Sequence, residues 1–170
     1  RQALVNRGSN EAQTLRLISA SQLTDSLGTL TPTTAAVPVK NPLSEDHTHL
    51  RISITPGLLA TAGLNIRQGN SRLRFFEMGR VFLQLPNGTS REEERLAILI
   101  SGPVSPMGWT DADPRASDVF DLRGIIESLP GLGSIEIKRI ADNDTFLLNS
   151  EIRSGNRVLG WIAQIHPARA

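Results

Sequence analysis

Along the chain the apolar positions change period several times, and each change marks an expected element. Arg1 to Gly8 carries Ala3, Leu4 and Val5 before a glycine suited to a C-terminal cap, which reads as the end of a helix that began earlier. From Glu11 to Ser19 the order Thr14, Leu15, Arg16, Leu17, Ile18 alternates in part, as a strand with one face on a core does. Gln22 to Leu27 suits a short helix followed by a loop. Val37 to Lys40 suits a short strand, because the residue before Pro42 is pushed toward extended geometry. Thr55-Pro56 has the order of an N-cap followed by a proline at the first helical position, where the missing amide hydrogen costs nothing. Leu58, Leu59, Ala62 and Ile66 then recur at helical spacing up to Gly69, so a helix is expected there.

In the second half, extended runs are expected over Leu73 to Leu85 and Leu96 to Ser101. Between them, Pro86-Asn87-Gly88 supplies turn geometry, and the charge run Arg91 to Arg95 reads as a solvated part of the connection. The two runs suggest an antiparallel pair. Residues 102 to 116 hold three prolines and two glycines around Trp109, which predicts an ordered loop anchored by that tryptophan. Ser117 is placed to cap a helix in which Leu122, Ile125, Ile126 and Leu129 line one face, ending at Pro130-Gly131. Ser134 to Ala141, Phe146 to Ile152 and Val158 to Ile165 read as strands, the last two joined by Ser154-Gly155-Asn156. The expected class is α+β with a mainly antiparallel sheet, in a single domain over residues 1–170 without internal repeats.

Composition narrows the function classes. Cysteine is absent, which removes disulfides, thiolate metal sites and cysteine nucleophiles, and fits a reducing compartment. No apolar stretch approaches the length of a spanning helix and no signal-peptide order opens the chain, so a cytoplasmic protein with no membrane partner is expected. Lys and Arg total 18 against 17 for Asp and Glu, a net charge of +1, so no overall field favours a polyanion. With no tyrosine and two tryptophans, Trp109 and Trp161, the chain also lacks the interleaved aromatics of a nucleic-acid stripe.

Few residues suggest chemistry. His47 and His49 have an i, i+2 spacing that would put both on one side of a strand, yet no third metal-ligand cluster stands near them in sequence. There is no G-x-S-x-G elbow and no glycine-rich phosphate cradle. Glu92, Glu93 and Glu94 sit among arginines and read as solvent-facing rather than catalytic. Glu77 differs, because it interrupts the apolar run of Phe75, Phe76, Met78, Val81 and Phe82. A carboxylate there needs a partner if buried, and Arg51 and Arg80 are the candidates for an ion pair. Residue chemistry alone names no catalytic, cofactor-binding or metal-binding residue.

The run NPLSEDHTHLRISITPGLL from Asn41 to Leu59, followed by Asn65 and by LRFFEMGRVF from Leu73 to Phe82, resembles the core of the bacterial phenylalanyl-tRNA synthetase beta subunit. LAILISG from Leu96, Trp109, VFDLRG from Val119 and VLGWIAQIHP from Val158 follow in the order of that family, so the resemblance spans almost the whole chain. The segment DNDTFLLN, Asp142 to Asn149, departs from the family's His-Pro-Gly-Arg type of segment. The resemblance implies a class II aminoacyl-tRNA synthetase-like antiparallel sheet flanked by helices. It also implies a fragment of a longer chain that has lost catalysis and packs against the catalytic alpha subunit in a heterotetramer. LRFFEMGRVF looks like a degenerate form of the class II motif whose strand continues to an ATP-binding arginine, and here Leu83 and Gln84 follow instead.

On this resemblance ATP and magnesium belong to the holoenzyme and not to this segment, which is expected to be inactive alone, and tRNA is met only through the intact holoenzyme. Leu58, Leu59, Ala62 and Ile66 become candidates for the subunit interface, with intradomain core as the other reading of each. An isolated fragment is expected to self-associate through the uncovered face. The other functions open to such a fold are a domain that retains adenylate-forming activity and a free-standing ligand-binding paralogue.

Overall fold

The computed structural model describes residues 1–24, 35–109, 111–140 and 146–165. It divides into two compact units: Asn10–Asn70 with Phe75–Leu99, here the hairpin unit, and Arg1–Ser9 with Ser71–Arg74 and Ile100–Ala170, the C-terminal unit. Among the described residues no helix is long and apolar enough to cross a membrane.

The hairpin unit is built on two long strands, β4 (Leu73–Gln84) and β5 (Ser90–Ser101), whose first and last residues respectively belong to the other unit. Short strand β1 (Asn10–Glu11) joins them in the order β1-β4-β5 and runs parallel to β4, with Asn10 opposite Phe75. The connection between β4 and β5 is only Leu85 to Thr89. Asn87 Oδ1 accepts from the Thr89 amide and hydroxyl, and Gly88 takes the left-handed φ of 81° that the turn requires. The expected solvated connection over Arg91 to Arg95 is therefore corrected: this charge run is strand. Arg91, Glu93 and Arg95 fall two residues apart on one face, and both arginines pair with Glu93, so the strand's polar face is stitched by charge.

The region expected as one strand over Glu11 to Ser19 forms β1 and, after a break, β2 (Leu17–Ile18), which pairs antiparallel with β3 (His49–Leu50). A bridge between Pro38 and His49 extends this pairing toward Val37–Lys40. Helix α2 occupies Ala20–Thr24, and the expected continuation to Leu27 lies outside the described residues. Helix α3 (Thr55–Arg67) has Pro56 in its first turn, but Thr55 is not its cap. Ser53 Oγ accepts from the Thr55 amide at 3.3 Å instead, so the hydroxyl that meets a free N–H of the first turn comes from earlier in the chain. Leu58 and Ala62 close the core of this unit with Ile54, Phe76, Val81 and Leu83.

In the C-terminal unit a three-stranded antiparallel sheet has the order β6 (Glu136–Arg139), β7 (Phe146–Ser154), β8 (Arg157–Ile165). Helix α1 (Gln2–Val5) precedes Gly8 in the left-handed conformation, as the opening residues predict. Helix α4 (Val119–Glu127) starts one residue later than Ser117 would have set it. Asp118 is the N-cap, its carboxylate accepting from the Phe120 and Asp121 amides, while Asp121 reaches back to the Asp118 amide and completes a capping box. Leu4, Leu73, Ile125, Ile126, Phe146, Ile152 and Ile162 form the buried apolar set of this unit.

Candidate functional site

Three settings hold the residues the sequence singles out. The first is the carboxylate inside β4. Glu77 and Arg51 are each 3% exposed and meet at 2.6 Å, Arg51 Nη1 donating to Glu77 Oε1. Glu77 Oε2 accepts from the Thr14 hydroxyl at 2.8 Å and the Thr14 amide at 3.2 Å. Arg51 donates in addition to the Thr14 hydroxyl at 2.9 Å and, through Nε, to the Arg80 carbonyl at 2.9 Å. Every oxygen of the buried carboxylate is thereby met, and a charge pair so enclosed joins three chain segments instead of facing a substrate. Arg80, the other partner considered for Glu77, turns outward and pairs with Glu92 at 2.9 Å. Gly79 leaves the room this cluster needs, since a Cβ there would collide with Arg51 Nη2.

The second setting is the end of β4, where a class II-like strand would need positive charge for a triphosphate. Leu83 is buried there and the Gln84 amide donates to the Ala35 carbonyl at 3.1 Å. The cations nearby in sequence are spent on carboxylates, Arg80 on Glu92 and both Arg91 and Arg95 on Glu93, which Arg95 foremost holds below its usual carboxylate range. Those residues do not fit ATP phosphate. A cleft of about 620 Å³ in the same unit is bordered by Thr14, Ser19, Gln22, His47, Ser53 and Thr61 among others. Its ionisable side chains are Asp46, His47 and Arg51, the last already committed to Glu77, and His47 Nδ1 lies 3.2 Å from Ser44 Oγ. Among the described residues no group of three His, Asp or Glu side chains is placed to hold a metal ion.

The third setting is helix α3. Its sequence TPGLLATAGLNIR carries one charged residue, Arg67 at its last position. Its polar side chains turn back on the helix: Thr61 Oγ1 donates to the Gly57 carbonyl at 3.0 Å and Asn65 Nδ2 to the Thr61 carbonyl at 2.9 Å. Of the interface candidates, Leu58 and Ala62 are buried within the unit, the core alternative that the sequence leaves open for each. Leu59 is half-buried, and Ile66 is 54% exposed. Leu64, off the apolar stripe, is 49% exposed on the outer side of the same helix. A surface helix ordinarily shows water a charged face, whereas the outer face here presents Ala60, Leu64 and Ile66 with a single charge, Arg67, beside Gly63. The sequence signal for this was the near absence of charge, not the spacing of the leucines.

Around residues 102–116 the anchoring differs from expectation. Trp109 is 97% exposed and holds nothing down. The loop is closed at its base, where the Val104 amide donates to the Arg115 carbonyl at 3.0 Å and the Ser117 amide to the Gly102 carbonyl at 2.8 Å. Arg72 and Arg74, unremarked in the sequence, both reach the Val104 carbonyl. Arg115 clasps Asp121 with two bonds of 2.8 and 2.7 Å, and this holds the Asp121 carboxyl down to about 2.

Comparison with known proteins follows the same outline. The sequence model of the phenylalanyl tRNA synthetase beta chain CLM domain matches residues 1–170. The phenylalanine–tRNA ligase beta subunit of Listeria innocua is 33% identical over 171 residues, covering 97% of this chain and 21% of that protein. That of Geobacter sulfurreducens is 29% identical, covering 98% of this chain and 22% of its own length. The chain thus spans about a fifth of these relatives. Among solved structures, the pyrrolysyl-tRNA synthetase of Desulfitobacterium hafniense superposes with a TM-score of 0.64 at 20% identity, over 93% of this chain and 53% of that one. At that identity the likeness speaks for the synthetase-like α+β fold.

Proposed function

The chain belongs to the phenylalanyl tRNA synthetase beta chain CLM domain family, and from that premise we propose that it is a non-catalytic, synthetase-like module through which a phenylalanine–tRNA ligase beta subunit packs on its alpha subunit. The observation that carries the reading is helix α3. A helix apolar on most of its circumference is stable when covered on most of its circumference, and α3 leaves Leu64 and Ile66 to water. An obligate interface of the kind formed between permanent subunits is large and apolar enough to cover them.

Support for the non-catalytic part comes from the chemistry of β4. Its carboxylate is consumed in the Arg51–Glu77–Thr14 cluster, and its end offers Leu83 and Gln84 where phosphate charge would have to be met. On this reading ATP, magnesium and tRNA engage the assembled holoenzyme, in the cytoplasm, and the module supplies shape.

The test uses the full-length beta subunit. Leu64→Asp with Ile66→Asp is expected to weaken association with the alpha subunit at least about tenfold, roughly 1.4 kcal/mol, while Met78→Asp on the hairpin face serves as a control. Unchanged association would overturn the role of α3. ATP–pyrophosphate exchange with phenylalanine by the beta subunit alone would overturn the non-catalytic reading.

A further inference from the structure

The turn between β4 and β5 carries chemistry that neither the buried cluster nor helix α3 uses. Of the nine asparagines in the chain, Asn87 alone is followed by glycine. Asn87, Gly88 and Thr89 are all exposed, so solvent reaches both the side-chain amide and the peptide after it. Asparagine is thermolabile, because the backbone nitrogen that follows it can attack its side-chain carbonyl carbon. A Cβ on that next residue crowds the attack. Gly88 has none, and open space lies where one would stand.

The turn supplies the remaining requirements. Asn87 Oδ1 accepts from the Thr89 amide at 3.1 Å and from the Thr89 hydroxyl at 2.7 Å. A side-chain oxygen bonded to the amide two residues on is folded forward across the intervening peptide, which brings Asn87 Cγ toward the Gly88 nitrogen. The same two donors sit on the oxygen that takes up negative charge when Cγ becomes tetrahedral. One bond opposes the reaction: the Gly88 amide donates to the Leu85 carbonyl at 2.9 Å, and the nitrogen loses that bond with its proton. A single exposed hydrogen bond slows the step about tenfold at most, a restraint and not a block. Other asparagines are worse placed. Asn65 lies inside α3 with its amide nitrogen on the Thr61 carbonyl, and Asn70 is followed by a serine, whose Cβ crowds the attack.

We propose that Asn87 is a site of spontaneous covalent modification, deamidation to isoaspartate, with Thr89 as the residue that positions and polarises its amide. A solvent base takes the Gly88 amide proton, the Gly88 nitrogen bonds to Asn87 Cγ, and Nδ2 leaves as ammonia with a proton returned from solvent, closing a succinimide ring. Water then adds at the Asn87 backbone carbonyl carbon and breaks its bond to the Gly88 nitrogen, which takes back a proton. The chain now runs through the former side chain, one atom longer, and the freed α-carboxylate adds a negative charge. That extra atom lies inside the ring closed by the Leu85 amide on the Thr89 carbonyl at 2.8 Å, so the product loosens the tip of the hairpin. This site is apart from α3, and its chemistry is the same whether or not the module packs on an alpha subunit.

The experiment ages the full-length beta subunit, assembled with its alpha subunit, in mildly alkaline buffer. Its asparagines are then mapped by mass spectrometry, with electron-transfer fragmentation to tell isoaspartate from aspartate. Asn87 is expected to convert first among the asparagines of residues 1–170, mainly to isoaspartate, at a rate that climbs with pH because the Gly88 amide must lose its proton. Thr89→Val keeps the backbone donor, removes the hydroxyl, and is expected to slow conversion about three- to tenfold. In aged protein the Leu85 amide is expected to exchange its hydrogen faster. An Asn87 that outlasts Asn70, a product that is aspartate alone, or a rate unmoved by Thr89→Val overturns the proposal. The first two are read on the unaltered sequence and so do not depend on a variant folding.

Discussion

Strand β4 carries charge in two settings that differ in one respect, the presence of a partner. At Glu77 a carboxylate lies buried against Arg51, with Thr14 taking up the remaining hydrogen-bond capacity, and the cluster belongs wholly to the hairpin unit. At Arg72 and Arg74 two cations lie against a carbonyl, and Asp121, bonded to Arg115, acts on Arg74 only through space. Burial of charge is expensive in both places, and only the first repays it within the described residues. The contrast separates a charge paired inside the core from charges held at the edge of the fold by a backbone carbonyl. Helix α3 makes the same point in apolar terms: Leu58 and Ala62 are satisfied by the core, whereas Leu64 and Ile66 are not.

The comparison breaks most sharply at Glu77. Glu77→Ala is expected to cost about 3–5 kcal/mol in equilibrium denaturation, because it strands the Arg51 charge in the interior. Replacing both partners, Glu77→Leu with Arg51→Met, should cost less than Glu77→Ala alone; a larger loss would mean that the cluster contributes net stability as well as specificity. Next in size, Gly79→Ala pushes a methyl group against the Arg51 guanidinium and is expected to cost about 1–3 kcal/mol by the same measurement.

In the C-terminal unit the effects are smaller because the charges there are near water. Asp118→Ala removes the cap of α4 and is expected to cost about 0.5–2 kcal/mol, read as a lowered melting midpoint. Asp121 sharpens the account through pH. Its folded pKa is depressed to about 2 from the ordinary 3.8, with the Arg115 hydrogen bond as the largest cause. Its stabilising contribution is therefore complete above the ordinary value and lost as the pH falls toward 2. Carboxyl titration by NMR should place Asp121 near 2, and Arg115→Ala should move it back up toward 3.8; no movement would assign the depression to the helix cap instead. Smallest of all, Leu64→Asp with Ile66→Asp should leave the chain's own stability within about 0.5 kcal/mol, since both side chains already face solvent. A large loss would mean that the outer face of α3 is core after all.

Local features were readable where a short segment supplies its own reasons. Pro-Asn-Gly set the turn between β4 and β5, Pro56 set the start of α3, and Ser154-Gly155-Asn156 joined β7 to β8. The errors have a common cause as well. Arg91 to Arg95 read as loop because charge is usually solvated, yet alternation put Arg91, Glu93 and Arg95 on one strand face where they neutralise one another. Trp109 read as an anchor because large aromatics are usually buried, while the loop is held by backbone bonds and by Arg72 and Arg74, residues with no distinguishing local pattern.

By itself the sequence determined the α+β alternation of elements, the family to which the chain belongs, and the need of Glu77 for a cationic partner. Tertiary structure decided that the partner is Arg51 and not Arg80, that Leu58 and Ala62 face inward while Leu64 and Ile66 face out, and that two arginines converge on one carbonyl. The physical reason is reach. Periodicity and turn chemistry are fixed by neighbours a few residues away, whereas the partner of a charge and the cover of an apolar face are set by segments that meet only once the chain has folded.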